Sequence, residues 1–213
     1  MSAAASGHLA ESSQDVQLSF GSTPFPIRIR PDLPLTEDEL LEFCRSNKGF
    51  EIECESDGTL YIMTPAGAKT SRLNLFLNRE LDLWAEGDGR GVAFGSDLGV
   101  RFPDRSMRAP DGAWTSRSRF EALDEAAQNR FLPFCPEFVV ELRSPGDRAS
   151  RVEAKMERWI AKGAELGWLI DPQRRLAMIY RPGREPETLL QPENLEGESP
   201  IAGFRLKMQR FWE

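Results

Sequence analysis

The stretch CPEFVVELRSPGD, residues 135–147, decides how the rest of the chain is read. Phe138 to Leu142 has the apolar content of an interior strand, yet it carries Glu141 and is followed by Arg143 and a Ser-Pro-Gly turn. Side chains alternate along a strand. Phe138, Val140 and Leu142 therefore share one face, expected to pack on a helix, while Val139, Glu141 and Arg143 share the other. An acid and a base at a strand end stand at a usual place for an active site in open α/β sheets. The plainer reading is that Glu141 and Arg143 neutralise each other or sit in solvent, because carboxylates are seldom buried unless paired or metal-bound.

Downstream, residues 150–163 (SRVEAKMERWIAKG) read as a helix with a capping box from Ser150 to Glu153 and a stop at Gly163. Residues 167–172 (GWLIDP) read as a buried strand ending in a turn, residues 176–183 (LAMIYRPG) as a further strand, and residues 204–212 as a strand or short terminal helix. Upstream, a capping box from Thr36 to Glu39 opens a helix over 37–47, and strands at 50–54 and 60–64 flank a turn at Ser56-Asp57-Gly58. Leu73, Leu77, Leu81 and Trp84 recur at helical spacing over Ala68–Glu86, with Gly87 as the stop. Strands are expected at 91–94, 97–102 and 109–114, and a helix within 118–131. The order implies an α/β (α+β) fold with one central sheet.

Bulk composition narrows the function. The chain has 213 residues and 40% hydrophobic content, enough for one domain over 26–213 behind a flexible tail at 1–25. The net charge of -7 gives no global attraction for nucleic acid, so such binding needs a local basic surface. No apolar run of about 18 residues suggests a membrane span, and the first residues lack the pattern of a signal peptide. The three cysteines, Cys44, Cys54 and Cys135, are widely spaced and odd in number, which argues for a reducing cytoplasm and against a disulfide framework or a zinc site. There is one histidine, His8, in the small polar leader. A Ser-His-Asp triad, a zinc hydrolase and a histidine base all lose their essential residue.

Chemistry then falls to carboxylates, Lys and Arg. Asp111 follows Pro110 and enters Ala113-Trp114, although Pro-Asp-Gly is also ordinary turn vocabulary. On the 150–163 helix, Val152, Met156, Trp159 and Ile160 form an apolar stripe with Lys155 at its edge, so its stem can follow the core to the sheet end. Asp171, before Pro172, reads chiefly as a turn former. Two acids at strand ends can bind one Mg²⁺ through hard oxygen ligands, and a nearby Lys can hold the attacking water. The set suits phosphodiester hydrolysis without histidine. A glycosidase pair would leave Lys155 unused.

The blocks APDGAWTS (109–116), CPEFVVELRSPGD (135–147) and KMERWIAKGAELGWLIDP (155–172) closely resemble the Uma family of restriction endonucleases, a branch of the PD-(D/E)XK nuclease superfamily. The likeness runs from about Pro31 to the C-terminus. It implies a restriction-endonuclease-like core, a mixed sheet flanked by helices, that cuts DNA with Mg²⁺, for which Mn²⁺ can substitute. By the same resemblance Asp111 matches the motif Asp and Glu141 the motif Glu, with the Leu142 carbonyl as a further metal ligand. Arg143 falls where the superfamily usually has Lys, and Lys155 matches a lysine supplied from the following helix. Phe50-Glu51-Ile52 and Asp57-Gly58 match an early family element, which makes Glu51 an extra acid. Arg143 is then expected to contact the scissile phosphate or to hold Glu141. A homodimer is expected if both strands are cut. Charge runs the same way: residues 101–119 hold five basic and two acidic side chains, and residues 36–57 hold two basic and eight acidic ones.

Overall fold

The computed structural model describes residues 26–213; the expected tail and His8 lie outside the described residues. In chain order the first half holds β1 (Ile27–Ile29), α1 (Glu37–Ser46), β2 (Glu51–Cys54), β3 (Leu60–Met63), α2 (Ala68–Asp88), β4 (Gly91–Phe94), β5 (Val100–Arg101), β6 (Met107–Arg108) and β7 (Gly112–Ser116). It continues with α3 (Arg117–Glu121), α4 (Glu125–Gln128), β8 (Phe138–Leu142), α5 (Ala149–Ala161), β9 (Leu166–Asp171), β10 (Leu176–Tyr180), β11 (Glu187–Leu190), β12 (Asn194–Glu196), β13 (Arg205–Lys207) and α6 (Gln209–Trp212).

A six-stranded mixed sheet, in the order β11-β10-β9-β8-β7-β4, is flanked by helices, as the sequence implies. Only β8 and β9 run parallel, and α5 is the crossover that a parallel pair requires. The alternation along β8 sorts its two faces. Phe138, Val140 and Leu142 pack with Leu73, Leu77 and Leu81 of α2, while Val139 lies with Val152, Met156 and Trp159 of α5. The second face needs close contact: a Cβ on Gly167 of β9 would stand 2.3 Å from Met156 Cε, so glycine there lets α5 lie against the sheet. A second sheet, β1-β3-β2-β6-β5, is antiparallel throughout. It was not foreseen, because β1, β5 and β6 have only two or three residues each and carry little periodicity.

Several local expectations change. The Thr36–Glu39 capping box forms, with Thr36 N donating to Glu39 Oε2 at 2.8 Å. The Ser150–Glu153 box does not: α5 starts at Ala149 behind Arg148, which places Ser150 inside the first turn, and Glu153 pairs with Arg174 instead. α2 passes through Gly87 and ends at Gly89, whose φ of 74° supplies the left-handed cap. The strand expected at 109–114 starts later, as β7 at Gly112, and β6 ends before it at Arg108; Pro110 between them has no N–H for a ladder. The 97–102 strand shrinks to β5. The helix sought in 118–131 becomes α3 and α4, the second capped by Asp124. All three cysteines are free, and burial pushes the Cys135 thiol up to about 12, so it is an inert core group. Among the described residues no helix is long and apolar enough to cross a membrane.

Leu77 is fully buried against the six-stranded sheet, whereas Leu75 on the same helix is 72% exposed. Leu77→Ala should cost about 2–5 kcal/mol in urea denaturation. Leu75→Ala should shift stability by less than about 0.5 kcal/mol.

Candidate active site

The β7–β8 ladder brings the two motif acids together. Gly112 pairs with Val140, so the next step beyond it sets Asp111 beside Glu141. Asp111 is then fixed on three sides. Its Oδ2 accepts from Leu142 N at 2.7 Å, its Oδ1 from Asn74 Nδ2 at 2.9 Å, and its carbonyl from Asn78 Nδ2 at 2.9 Å. Asn74 and Asn78 lie one turn apart on α2, and a Cβ on Gly112 would stand 2.7 Å from Asn78 Oδ1. Glycine at this position therefore lets the helix reach the acid.

Glu141 is 3% exposed. Its Oε1 accepts from Trp159 Nε1 at 2.7 Å, and its Oε2 lies 3.0 Å from Lys155 Nζ. The Lys155 ammonium also donates to the Ala109 carbonyl at 2.7 Å, pairs with Glu53 Oε1 at 3.0 Å, and reaches Glu51 Oε1 at 4.0 Å. Glu141, Lys155 and Glu51 thus converge from β8, α5 and β2, and Asp111, just ahead of β7, is close enough to be coupled to Lys155.

Arg143 does not join them. Its Nη1 pairs with Asp171 Oδ2 at 2.9 Å, and its Nε and Nη2 donate to the Asp147 carbonyl at 3.1 and 3.0 Å. The expected hold on Glu141 is replaced by this strap: Arg143 lies just past the last residue of β8, and its side chain turns toward the end of β9. Asp171 is the turn former expected, accepting from Gln173 N and Arg174 N, and is also the anchor of two arginines. Arg143 N donates to Ile170 O, so the N–H and carbonyl of Leu142 point the other way, toward Asp111.

Glu53 was not picked out from the sequence, nor were Asn74, Asn78 and the indole of Trp159. The signal for Glu53 is simple: two residues from Glu51 in a strand, it shares that face. The asparagines flank the Leu73-Leu77-Leu81 stripe at helical spacing, which marks a border but not a target.

Burial pushes Glu141 up to about 8; Lys155 opposes this, and Asp111 and Glu53 add to it. Burial also raises Asp111 despite Lys155 and its two hydrogen bonds. Glu51, the most exposed of the group, goes to about 7 through loss of solvent. For Glu53 the order reverses: burial would raise it, but Lys155 and Arg108 together hold it low. Burial disfavours the Lys155 charge, yet Glu141 and Glu53 lead the carboxylates that hold it well above its ordinary range. Four carboxylates thus share one ammonium, and loss of solvent pushes three of them toward the neutral form.

Hard oxygen donors that a cation would help to ionise fit a Mg²⁺ ion, which needs only one or two carboxylates and keeps several waters. Asn74 Oδ1, buried without a donor on the amide that holds Asp111, leaves a free acceptor in the same place. Among the described residues no three His, Cys, Asp or Glu side chains are already grouped as a cage. A cavity of about 150 Å³, lined by Lys69, Leu142, Arg143 and Gln173 among others, opens at the ends of β8 and β9.

This is a mixed sheet flanked by helices, with two acids at adjoining strand ends and a lysine from the crossover helix. The same fold is seen in the crystal structure of a protein described as a putative nuclease of the DUF820 family from Anabaena variabilis; it covers 84% of this chain and 98% of that one, with a TM-score of 0.69 and 23% identity. A structure of a DrdV–DNA complex matches 57% of this chain and 71% of that one at 17% identity, with a TM-score of 0.36, too low to bear on the fold. No curated protein matches. The chain belongs to the Uma2 family, described as "Putative restriction endonuclease", whose model matches residues 37–209.

Because the folded pKa of Glu141 lies above the ordinary 4.5, the protonated carboxyl favours the fold. Its stabilising contribution is complete below about 4.5 and is lost as pH rises through about 8. In EDTA, wild type should therefore lose stability relative to Glu141→Gln across that window in urea denaturation. A difference that stays flat from pH 4.5 to 8 would contradict the assignment.

Proposed function

We propose that the protein is a Mg²⁺-dependent endonuclease that hydrolyses phosphodiester bonds in DNA. One observation carries this reading: in a chain of the Uma2 family, Lys155 pairs with Glu141, and Asp111, in register with Glu141 on the neighbouring strand, is electrostatically coupled to both. Mg²⁺ (or Mn²⁺ in its place) between Asp111, Glu141 and the Leu142 carbonyl would acidify a water and offset charge building on the phosphate. Asn74 and Leu142 N fix the Asp111 carboxylate, so its free lone pairs stay aimed at the same spot. Trp159 does the same for Glu141. Lys155 holds the attacking water by exchanging one of its present contacts for it. Glu51, 43% exposed in its side chain, is the acid nearest to solvent and to an incoming strand.

A second reading, a nuclease-fold module that binds nucleic acid or protein with little or no cleavage, draws on two contacts. Arg143 at the motif lysine position is spent on Asp171 and Asp147, and Lys155 is tied to two glutamates. Calorimetry separates the two readings. Mg²⁺ or Mn²⁺ uptake that disappears in Asp111→Asn and Glu141→Gln favours the enzyme, and no uptake favours the module.

Asp111→Asn and Lys155→Ala should each lower cleavage of plasmid DNA by at least about 10²-fold, and EDTA should abolish it. Loss of Lys155 leaves Glu141 free to take up a proton, so the fold survives; far-ultraviolet circular dichroism checks this. Wild-type cutting by purified Asp111→Asn would sink the proposal.

A homodimer would supply two such sites to a duplex. Leu75 and Leu83, 72% and 59% exposed, mark the outer stripe of α2, with Arg72 and Glu86 at either end for antiparallel self-pairing. Sedimentation should show a dimer that dissociates in the Leu75→Glu, Leu83→Glu double variant.

A further inference from the structure

We infer that Arg28, Tyr61 and Arg151 form a platform that grips the nucleic-acid backbone one or two nucleotides from the scissile phosphate. This rests on the nuclease reading and adds a binding site to it.

The platform is built from strand register. Arg28 of β1 pairs with Tyr61 of β3, and Tyr61 pairs with Glu53 of β2. The row thus runs from the edge of the five-stranded sheet to the carboxylate that holds Lys155. α5 crosses above it. The Arg151 guanidinium lies 5.6 Å from the centre of the Tyr61 ring, and that of Arg28 lies 5.3 Å from it. Arg151 Nη2 also meets Met63 Sδ at 3.4 Å.

What sets these two arginines apart is how and where they are held. Arg108, Arg130, Arg143, Arg174, Arg181 and Arg205 are each neutralised by a carboxylate. Among the described residues neither Arg28 nor Arg151 has one; an aromatic ring holds them both. Arg210 over Phe76 is also held by a ring and has no carboxylate partner among the described residues, but only Arg28 and Arg151 share one ring, and only they stand beside the site. A cation over a ring is fixed by charge and consumes no N–H. Arg28 therefore keeps its whole donor fork, and Arg151 keeps all of it but the Nη2 bond to the weak acceptor Met63 Sδ, which a phosphate oxygen can displace. The ring is already engaged by two cations, so the ligand is phosphate rather than a stacked base.

Location gives the register. Arg151 precedes Lys155 by one helical turn, about 6 Å along the axis. A strand advances about 3.4 Å per nucleotide, which places Arg151 one or two phosphates away from Lys155. The chain carries -7 overall and four carboxylates line the site, so a polyanion needs such a foothold beside them.

The test is salt-dependent binding of a fluorescein-labelled duplex by anisotropy, in EDTA so that no cleavage occurs. Arg28→Gln and Arg151→Gln should each reduce the slope of log K against log salt by about 0.9. Tyr61→Leu should weaken binding as well, Tyr61→Phe should not, and Arg205→Gln on β13 should leave the slope unchanged. In Mg²⁺ the two arginine variants should raise KM and leave kcat alone, the mark of binding shared by ground and transition states. Wild-type slopes in both arginine variants would overturn the platform and leave the nuclease reading standing. A wild-type protein that binds no duplex at any salt would overturn both.

Discussion

The structure depends on where it puts one ammonium group. Lys155 Nζ sits between the Ala109 carbonyl, Glu53 and Glu141, and these belong to the β6–β7 connection, β2 and β8. The five-stranded sheet, the six-stranded sheet and α5 therefore meet at a single charge. A charge with 18% of its side chain exposed is tolerable only when paired, and removing its partners would leave an uncompensated ion in a poorly solvated place. The same constraint makes a site. Whatever keeps Lys155 in position also keeps Glu141 and Glu53 around it, and the Asp111–Asn74 contact closes the group from the side of α2.

Two glutamates four residues apart show how the surroundings sort carboxylates into structure and chemistry. Glu137 and Glu141 are both buried. Glu137 accepts hydrogen bonds from the hydroxyls of Thr115 and Ser116 and pairs with Arg119. Burial would raise its pKa, but those donors outweigh it and hold the carboxyl low. Glu141 has one indole and one shared ammonium, with other acids close by, and burial wins, to about 8. The first is a satisfied structural anion. The second has too few donors to offset the loss of solvent, so its surroundings favour the protonated form.

Much of this was legible in the sequence, for reasons particular to each element. The alternation in Phe138–Leu142 fixed which residues meet α2 and which meet α5, because a strand buried on both faces has no third option. Lys155 at the edge of the Val152-Met156-Trp159 stripe had nowhere to go but along the core toward the strand end. Glu53 and the asparagines of α2 were hidden because their roles need a partner from a distant segment, and spacing in one element does not name that partner. The second sheet was hidden because strands as short as β5 and β6 leave no period to read. Arg143 misled for a related reason. Alternation places it on the Glu141 face only while the strand continues, and the strand ends at Leu142.

Arg143 serves Lys155 indirectly. A guanidinium keeps its proton near neutral pH, so at this position it can bind or brace but cannot exchange protons. Here it braces. Arg143 and Arg174 share the buried Asp171 carboxylate, and Arg174 Nη2 donates to Glu153 on α5 at 2.7 Å. The chain Arg143–Asp171–Arg174–Glu153 ties the ends of β8 and β9 to the helix, two residues before Lys155. Long side chains from a helix are harder to aim than side chains from a strand, because more rotatable bonds and the helix position itself must be fixed. Bracing α5 from the strand ends answers that difficulty, so Arg143 steadies the helix that carries Lys155.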